Sequence, residues 1–192
     1  MKIKRLFWIL FFLNLLNYLD RQVLYVVFPL LQTDLHLSDM QLGLLGSVFM
    51  GVYMCYAPIM GFLADRLPRP RLIGLSALLW SGATLACAGA KNYISLLIPR
   101  AVIGVGEGGF TTLAQPFLAE KFPQKKHAPL LAAFSLALPI GSALGYIVGG
   151  WVGQHAGWRI AFMIAGIPGV FLGILAWVGL KERPRQLSPT KE

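Results

Sequence analysis

Four ionic side chains interrupt otherwise apolar runs: Asp20 and Arg21 in the first run, Arg100 and Glu107 in the fourth. The stretch Asn17-Tyr18-Leu19-Asp20-Arg21 sits inside the hydrophobic run from Leu6 to Leu31. At bilayer depth an acid or a base costs roughly 2.5–3.5 kcal/mol on insertion scales, and more in simulations. Such groups are kept where they pair or face a cavity, so the stretch reads as a site for ions, protons or a charged solute. Arg100 and Glu107 are seven residues apart and share one helical face. Gly104, Thr111 and Gln115 extend that face. Asn14, Asn17, Asp20 and Arg21 fall at helical spacing in the first run, and Ser135, Ser142 and Tyr146 form a third polar stripe in the fifth. Lipid does not solvate such stripes, so they are expected to line one cavity.

The elements that position these groups follow from composition. Of 192 residues, 56% are hydrophobic and 13% charged, where a soluble domain holds about 25% charged. The apolar runs are about 20 residues long, the length of membrane helices and not of barrel strands. The expected class is all-α integral membrane, with six spans at about 5–31, 41–64, 71–90, 94–119, 129–152 and 158–180. Residues 1–185 form the bundle and 186–192 a polar tail. Ser38-Asp39 can cap the second helix, and Leu67-Pro68-Arg69-Pro70 breaks the chain after it. Pro58, Pro99, Pro116, Pro139 and Pro168 mark expected kinks inside spans. The N-terminal Lys2, Lys4 and Arg5 before an apolar run mimic a signal peptide, but no small-residue cleavage site follows, so a retained first helix is expected.

The net charge is +9, but topology accounts for it better than nucleic acid does. Lys2, Lys4, Arg5, Arg66, Arg69, Arg71, Lys121, Lys125, Lys126, Lys181, Arg183, Arg185 and Lys191 fall on one side of the membrane. Only Lys91 and Arg159 fall on the other. The positive-inside rule then puts both termini in the cytoplasm, with the cell (inner) membrane as the expected location. Cys55 and Cys87 lie inside apolar runs and read as inert thiols. His36, His127 and His155 make no ligand cluster, so no metal is expected. No nucleophile–base set appears, so an enzyme is not expected either.

Depth can be counted at 1.5 Å per residue. Asp20 then lies roughly 21 Å from the cytoplasmic entry of the first helix, and Arg100 roughly 9 Å below the opposite surface. In a core about 30 Å thick the two sit at nearly one level and are candidate partners. Glu107 lies roughly 10 Å nearer the cytoplasm. Two acids and two bases can balance one another. Protonating an acid would free an arginine to hold an anion, which gives proton coupling a physical basis, with protons as the coupling ion and no other cofactor. The alternative is a static set of salt bridges that fixes helix packing. Phe7, Trp8, Phe11 and Phe12 read as lipid-facing or interfacial aromatics.

Gly141, Gly145 and Gly149 recur every four residues, a small-xxx-small pattern that admits a close helix neighbour. Gly104, Gly106, Gly108 and Gly109 slim the fourth span in the same way. At the end of the second span, Gly61-Phe62-Leu63-Ala64-Asp65-Arg66-Leu67-Pro68-Arg69-Pro70-Arg71 puts an acid at a helix end beside three arginines, a charged latch on the cytoplasmic face.

That loop resembles the signature G-x-L-A-D-R-x-G-R-R of the major facilitator superfamily, through Gly61, Leu63, Ala64, Asp65, Arg66 and Arg69. Pro68 and Pro70 depart from it, and Arg71 can substitute for the displaced base. Pro139-x-Gly141-x3-Gly145-x3-Gly149 resembles the superfamily's fifth-helix motif, and Glu182-Arg183-Pro184-Arg185 its exit from the sixth helix. Asn17–Arg21, Arg100-x3-Gly104-x-Gly106-Glu107, Tyr56-Ala57-Pro58-x-x-Gly61 and Leu138–Tyr146 narrow the resemblance to the spinster-like transporters of lysolipids and sphingoid phosphates. The anion:cation symporters, which move sugar acids with protons, share the Asn-Tyr-x-Asp-Arg and Gly-x-Gly-Glu features.

The resemblance implies the N-terminal six-helix half of a major facilitator fold, built as a 3+3 inverted repeat. Asp20 and Glu107 would be protonation sites, Arg21 and Arg100 their partners or anion contacts. Asn17, Thr111, Gln115, Ser135, Ser142 and Tyr146 would line the substrate cavity, and Gly61, Asp65, Arg66, Arg69 and Arg71 would form the gating loop. The implied partners are the lipid bilayer, an anionic or amphipathic small molecule, and a complementary C-terminal half or a second copy. The expected function is half of a proton-coupled transporter for an organic or amphipathic anion such as a lysolipid. The alternatives are a sugar-acid symporter half and a non-transporting, truncated membrane component.

Overall fold

A computed structural model describes residues 3–180, and every element in it is helical. The exit Glu182–Arg185, the tail 186–192 and the basic residues Lys2, Lys181 and Lys191 lie outside the described residues. Helix α1 runs Ile3–Val26 and α2 Phe28–Leu35. The first expected span is therefore two helices. Pro29, in the first turn of α2, cannot donate to Tyr25 and its ring crowds that carbonyl, so the chain steps at Val27. Helix α2 stops at His36, which adopts the left-handed conformation at φ 51°.

Helix α3 (Asp39–Arg66) starts with a capping box in which Ser38 and Gln41 bond each other's backbone. Helix α4 (Arg69–Ala88) carries Pro70 in its first turn, where no donor is needed. Helix α5 (Tyr93–Glu120) starts on a second capping box, Asn92 with Ser95. The fifth span is the most broken: a 3-10 turn Gln124–Lys126, α6 (His127–Ser135), α7 (Ala137–Ile147), a π segment Val148–Val152 and α8 (Gly153–Ala156). Pro139 crowds the carbonyl of Ser135, where α6 stops. The other expected kink prolines, Pro58, Pro99, Pro116 and Pro168, sit inside continuous helices. Gly157, at φ 89°, makes the tight joint to α9 (Trp158–Gly179), a conformation other residues adopt only under strain.

The packing has an internal two-fold pattern. Exchanging spans one to three with spans four to six turns the α3·α5 pair into α7·α1 and the α4·α5 pair into α9·α1, while α4·α9 maps onto itself. This is the arrangement of a nested inverted repeat. Four helical stretches are long and apolar enough to cross a membrane by length and composition: Asp39–Arg66, Arg69–Ala88, Gln124–Ala156 and Trp158–Gly179. The long helices outside that group, α1 and α5, are those that carry the ionic residues. Large apolar side chains face outward, among them Trp151, Phe171 and Val178, as lipid contact requires.

Candidate functional site

Helices α1 and α5 bring the four charges together in the interior. Asp20, Arg100 and Glu107 are buried to 1%, 0% and 0% exposure. Arg21 Nε donates to Glu107 Oε2 at 2.5 Å. Arg100 Nη1 lies 3.9 Å from Asp20 Oδ2, an ion pair without a hydrogen bond. Thr84 on α4 donates to Asp20 Oδ1 at 3.0 Å. The cluster is neutral overall, which offsets the large cost of taking four charges out of water.

Aromatic rings from α1 and α3 enclose the two guanidinium groups. Arg21 Cζ lies over Tyr18, Phe49 and Tyr53, at 5.4, 5.3 and 4.9 Å from the ring centroids. Arg100 Cζ lies over Phe49 at 4.8 Å. Helix α5 reaches this depth because its glycines admit backbone contact. A Cβ on Gly104 would fall 2.6 Å from the Phe49 carbonyl, and one on Gly106 would fall 2.7 Å from Trp80 N on α4. Several buried atoms have no hydrogen-bond partner: both amide atoms of Asn17, Asp20 Oδ2, Glu107 Oε1, Thr111 Oγ1 and all three guanidinium nitrogens of Arg100. Buried polar atoms are normally satisfied, and these gather on the helix turns that carry the four charges.

The residues expected to line one cavity are divided. Asn17 is buried beside the ionic cluster's own helix turn, and Thr111 and Ser142 are half-buried. Gln115, Ser135 and Tyr146 are exposed. No hydrogen bond among the described residues joins Thr111, Gln115, Ser135, Ser142 or Tyr146 to the four charges. Asn14 instead ties α1 to the fifth span, donating to the Phe134 carbonyl at 3.2 Å. Gly141, Gly145 and Gly149 face α1: a Cβ at Gly145 would fall 2.6 Å from the Leu19 carbonyl, and Gly141 meets the Leu15 carbonyl closer still.

At one end of the bundle Arg69 is the centre of the charged loop. It pairs with Glu120 at the end of α5 and lies 3.9 Å from Asp65 at the end of α3. Arg66 stacks over Phe62 at 4.1 Å, and Arg71 is exposed. Gly61 faces a cavity of about 140 Å³ shared with Ala64, Arg69, Thr112, Leu113 and Pro116. Glu120, Thr84 and Phe49 escape sequence reasoning. Glu120 alone had a signal, an acid closing a helix next to a basic loop. At the other end, Asp34 accepts from Trp158 Nε1 at 2.9 Å and from Arg159 Nη1 at 2.7 Å, and Arg159 Nη2 donates to the Ala90 carbonyl at 3.2 Å. The hydrogen bonds from Arg159 and Trp158 hold the Asp34 carboxyl below its ordinary range.

Residues 10–192 match the sequence profile of the Major Facilitator Superfamily. The chain is similar to protein spinster homolog 1 of Homo sapiens, 34% identical over 92% of this chain and 34% of the relative. It is similar to protein spinster of Drosophila melanogaster, 37% identical over 87% of this chain and 28% of that protein. The sphingosine-1-phosphate transporter SPNS2 of Xenopus tropicalis is 36% identical over 84% of this chain and 32% of its own. Among solved structures, a bacterial homolog of the human lysosomal transporter Spinster, inward-facing and unoccupied, superposes with a TM-score of 0.86 at 28% identity. It covers 99% of this chain and 45% of its own. The chain thus spans about a third of the length of these relatives, and its six helical spans correspond to one half of the fold.

Proposed function

We propose that this chain, which belongs to the Major Facilitator Superfamily, is the N-terminal half of a proton-coupled secondary transporter for an amphipathic or organic anion such as a lysolipid. Residues 1–185 would be the bundle and 186–192 the start of a linker to a complementary half, with both termini cytoplasmic in the cell (inner) membrane. A second copy of the chain is the other candidate partner. Substrate would bind between halves that rock to alternate access. The similarity to a sphingosine-1-phosphate transporter favours a lipid phosphate over a sugar acid.

The observation that carries this reading is Arg100. It is fully buried, its nitrogens have no hydrogen-bond partner, and its one acid lies 3.9 Å away. Protonating Asp20 removes the charge that holds it, and leaves a guanidinium ready for an anionic headgroup. The Asp20 carboxylate and the substrate anion would then compete for one arginine, so that proton and substrate favour each other's binding. Arg21 and Glu107 form the second, tighter pair of the same network. Arg69, with Asp65 and Glu120, would latch the cytoplasmic ends of α3, α4 and α5, with Gly61, Arg66 and Arg71 completing the loop. Asn17 and the outward residues Thr111, Gln115, Ser135, Ser142 and Tyr146 would meet substrate on the face presented to the second half.

Uptake of a fluorescent lysolipid into proteoliposomes under a pH gradient tests this, with the chain alone and with a complementary half. Transport is expected only from the pair. Asp20→Asn and Glu107→Gln are each expected to abolish its dependence on the gradient. Uptake that keeps its full pH dependence in both variants would sink the coupling assignment.

A further inference from the structure

We propose that Phe49 is a positioning residue: its ring holds Arg100 on Asp20 and off the unpartnered oxygen of Glu107, and so keeps the two ion pairs distinct. The inference rests on the functional reading above only for its consequence, since its geometry stands alone. Phe49 is 1% exposed and is the one ring that both guanidinium groups lie over, Arg21 at 5.3 Å and Arg100 at 4.8 Å. The two arginines depend on it unequally. Arg21 also has Tyr18, Tyr53 and a 2.5 Å hydrogen bond to Glu107. Among the described residues Arg100 has no other ring and no hydrogen bond, only a carboxylate at 3.9 Å.

A buried cation without hydrogen bonds is costly. The negative face of a desolvated aromatic ring offsets part of this cost. A better partner exists on the same helix face, because Glu107 Oε1 is buried and accepts from nothing. Arg100 and Glu107 are seven residues apart, about 10.5 Å along the axis; Glu107 leans toward Arg100, and Arg100 reaches it by turning its long side chain against the N-terminal lean of the helix. Without the ring, Arg100 would move to Glu107 and leave Asp20 with Thr84 alone. The placement of Phe49 is itself enforced, because its carbonyl packs where Gly104 has no Cβ.

Infrared titration of the two carboxyl bands in bilayers tests this, with assignments from Asp20→Asn and Glu107→Gln. The groups facing the two carboxyls are Arg21 on α1, Arg100 on α5 and the Cys87 thiol on α4, with Tyr53 on α3 beside Arg21, and each carboxyl also faces the other. In Phe49→Met, which keeps an apolar side chain without a π face, Asp20 is expected to bind its proton about tenfold more tightly and Glu107 about tenfold more weakly. Phe49→Tyr is expected to match the parent. A ring-fluorinated phenylalanine at position 49 keeps the shape and removes the negative face. It is expected to reproduce the Phe49→Met shifts, and it serves if Phe49→Met does not fold. Bands that stay in place in the fluorinated protein, or that move in the same direction, would overturn the proposal. The readout needs no transport, so a failed uptake assay with opposed band shifts would count against the transporter reading and leave this one standing.

Discussion

The α3·α5 and α1·α7 interfaces are related by the internal two-fold pattern, yet they place their glycines on opposite members. At α3·α5 the glycines belong to the inner helix α5, with Gly104 and Gly108 against Phe49 and Tyr53. At α1·α7 they belong to the outer helix, with Gly141, Gly145 and Gly149 against the carbonyls of Leu15, Leu19 and Val23. Helix α5 is slim on its other side too, where Gly106 and Gly109 meet Trp80 and Ser76 of α4. It is therefore enclosed from both sides, and Arg100 and Glu107 are both 0% exposed. Helix α1 keeps full-sized residues toward α7, and Arg21 remains 20% exposed along its side chain. Close approach accounts for the burial of both α5 charges, whereas the two neighbours on α1 differ, Asp20 at 1% exposure and the Arg21 side chain at 20%.

The largest effect expected from this contrast is at the locked pair. Asp20→Asn leaves Arg100 buried without an acid and should cost about 3–5 kcal/mol of unfolding free energy. Glu107→Gln leaves a partly exposed, ring-supported Arg21 with an amide oxygen, and should cost about 1–3 kcal/mol. Denaturant unfolding in detergent that ranks Glu107→Gln as the more damaging change would break the comparison.

Next come the glycines. Gly104→Ala and Gly145→Ala should each cost about 1–3 kcal/mol by overpacking, while Gly61→Ala, with nothing within 4 Å of its added Cβ, should stay within about 0.5 kcal/mol. Gly104→Ala should also disturb the carboxyl infrared bands more strongly, because it displaces Phe49, whereas Gly145→Ala pushes on the Leu19 carbonyl beside Asp20. Equal spectral changes in Gly145→Ala would blur the distinction between the interfaces.

Smaller still is the latch. Glu120→Gln removes the direct partner of Arg69 and should cost about 0.2–1 kcal/mol, more than Asp65→Asn, whose carboxylate lies 3.9 Å away. Thermal melts of the two variants give the order.

The smallest effect belongs to Asp34 at the opposite rim. Its carboxyl is held below the ordinary range, so it binds fewer protons folded than unfolded. Its contribution is present above pH about 4 and fades as pH falls through the lower folded value. Asp34→Asn should flatten that part of the acid limb of a stability curve, and an unchanged acid limb would show the contact to be neutral.

Much of this was legible from residue order. The cap at Ser38 and the approach of Arg100 to Asp20 follow from residue type, spacing and rise per residue. The Arg21–Glu107 pair did not, because counting rise treats side chains as points. Side chains of a helix lean toward its own N-terminus. In antiparallel helices that carries Arg21 down to the level of Glu107. The step at Val27 was hidden because Pro29 sits among apolar residues with no turn signal. Pro139 looked like four other prolines that leave their helices intact. Phe49, Thr84 and Glu120 have ordinary local sequence, and only packing reveals what they touch.

The contacts of Arg159 have a mechanical consequence. By holding the end of α2 through Asp34 and the end of α4 through the Ala90 carbonyl, it rivets three spans at one rim. Torque arriving at any of them would tilt all three as a single lever, and bending would be left to the segmented fifth span.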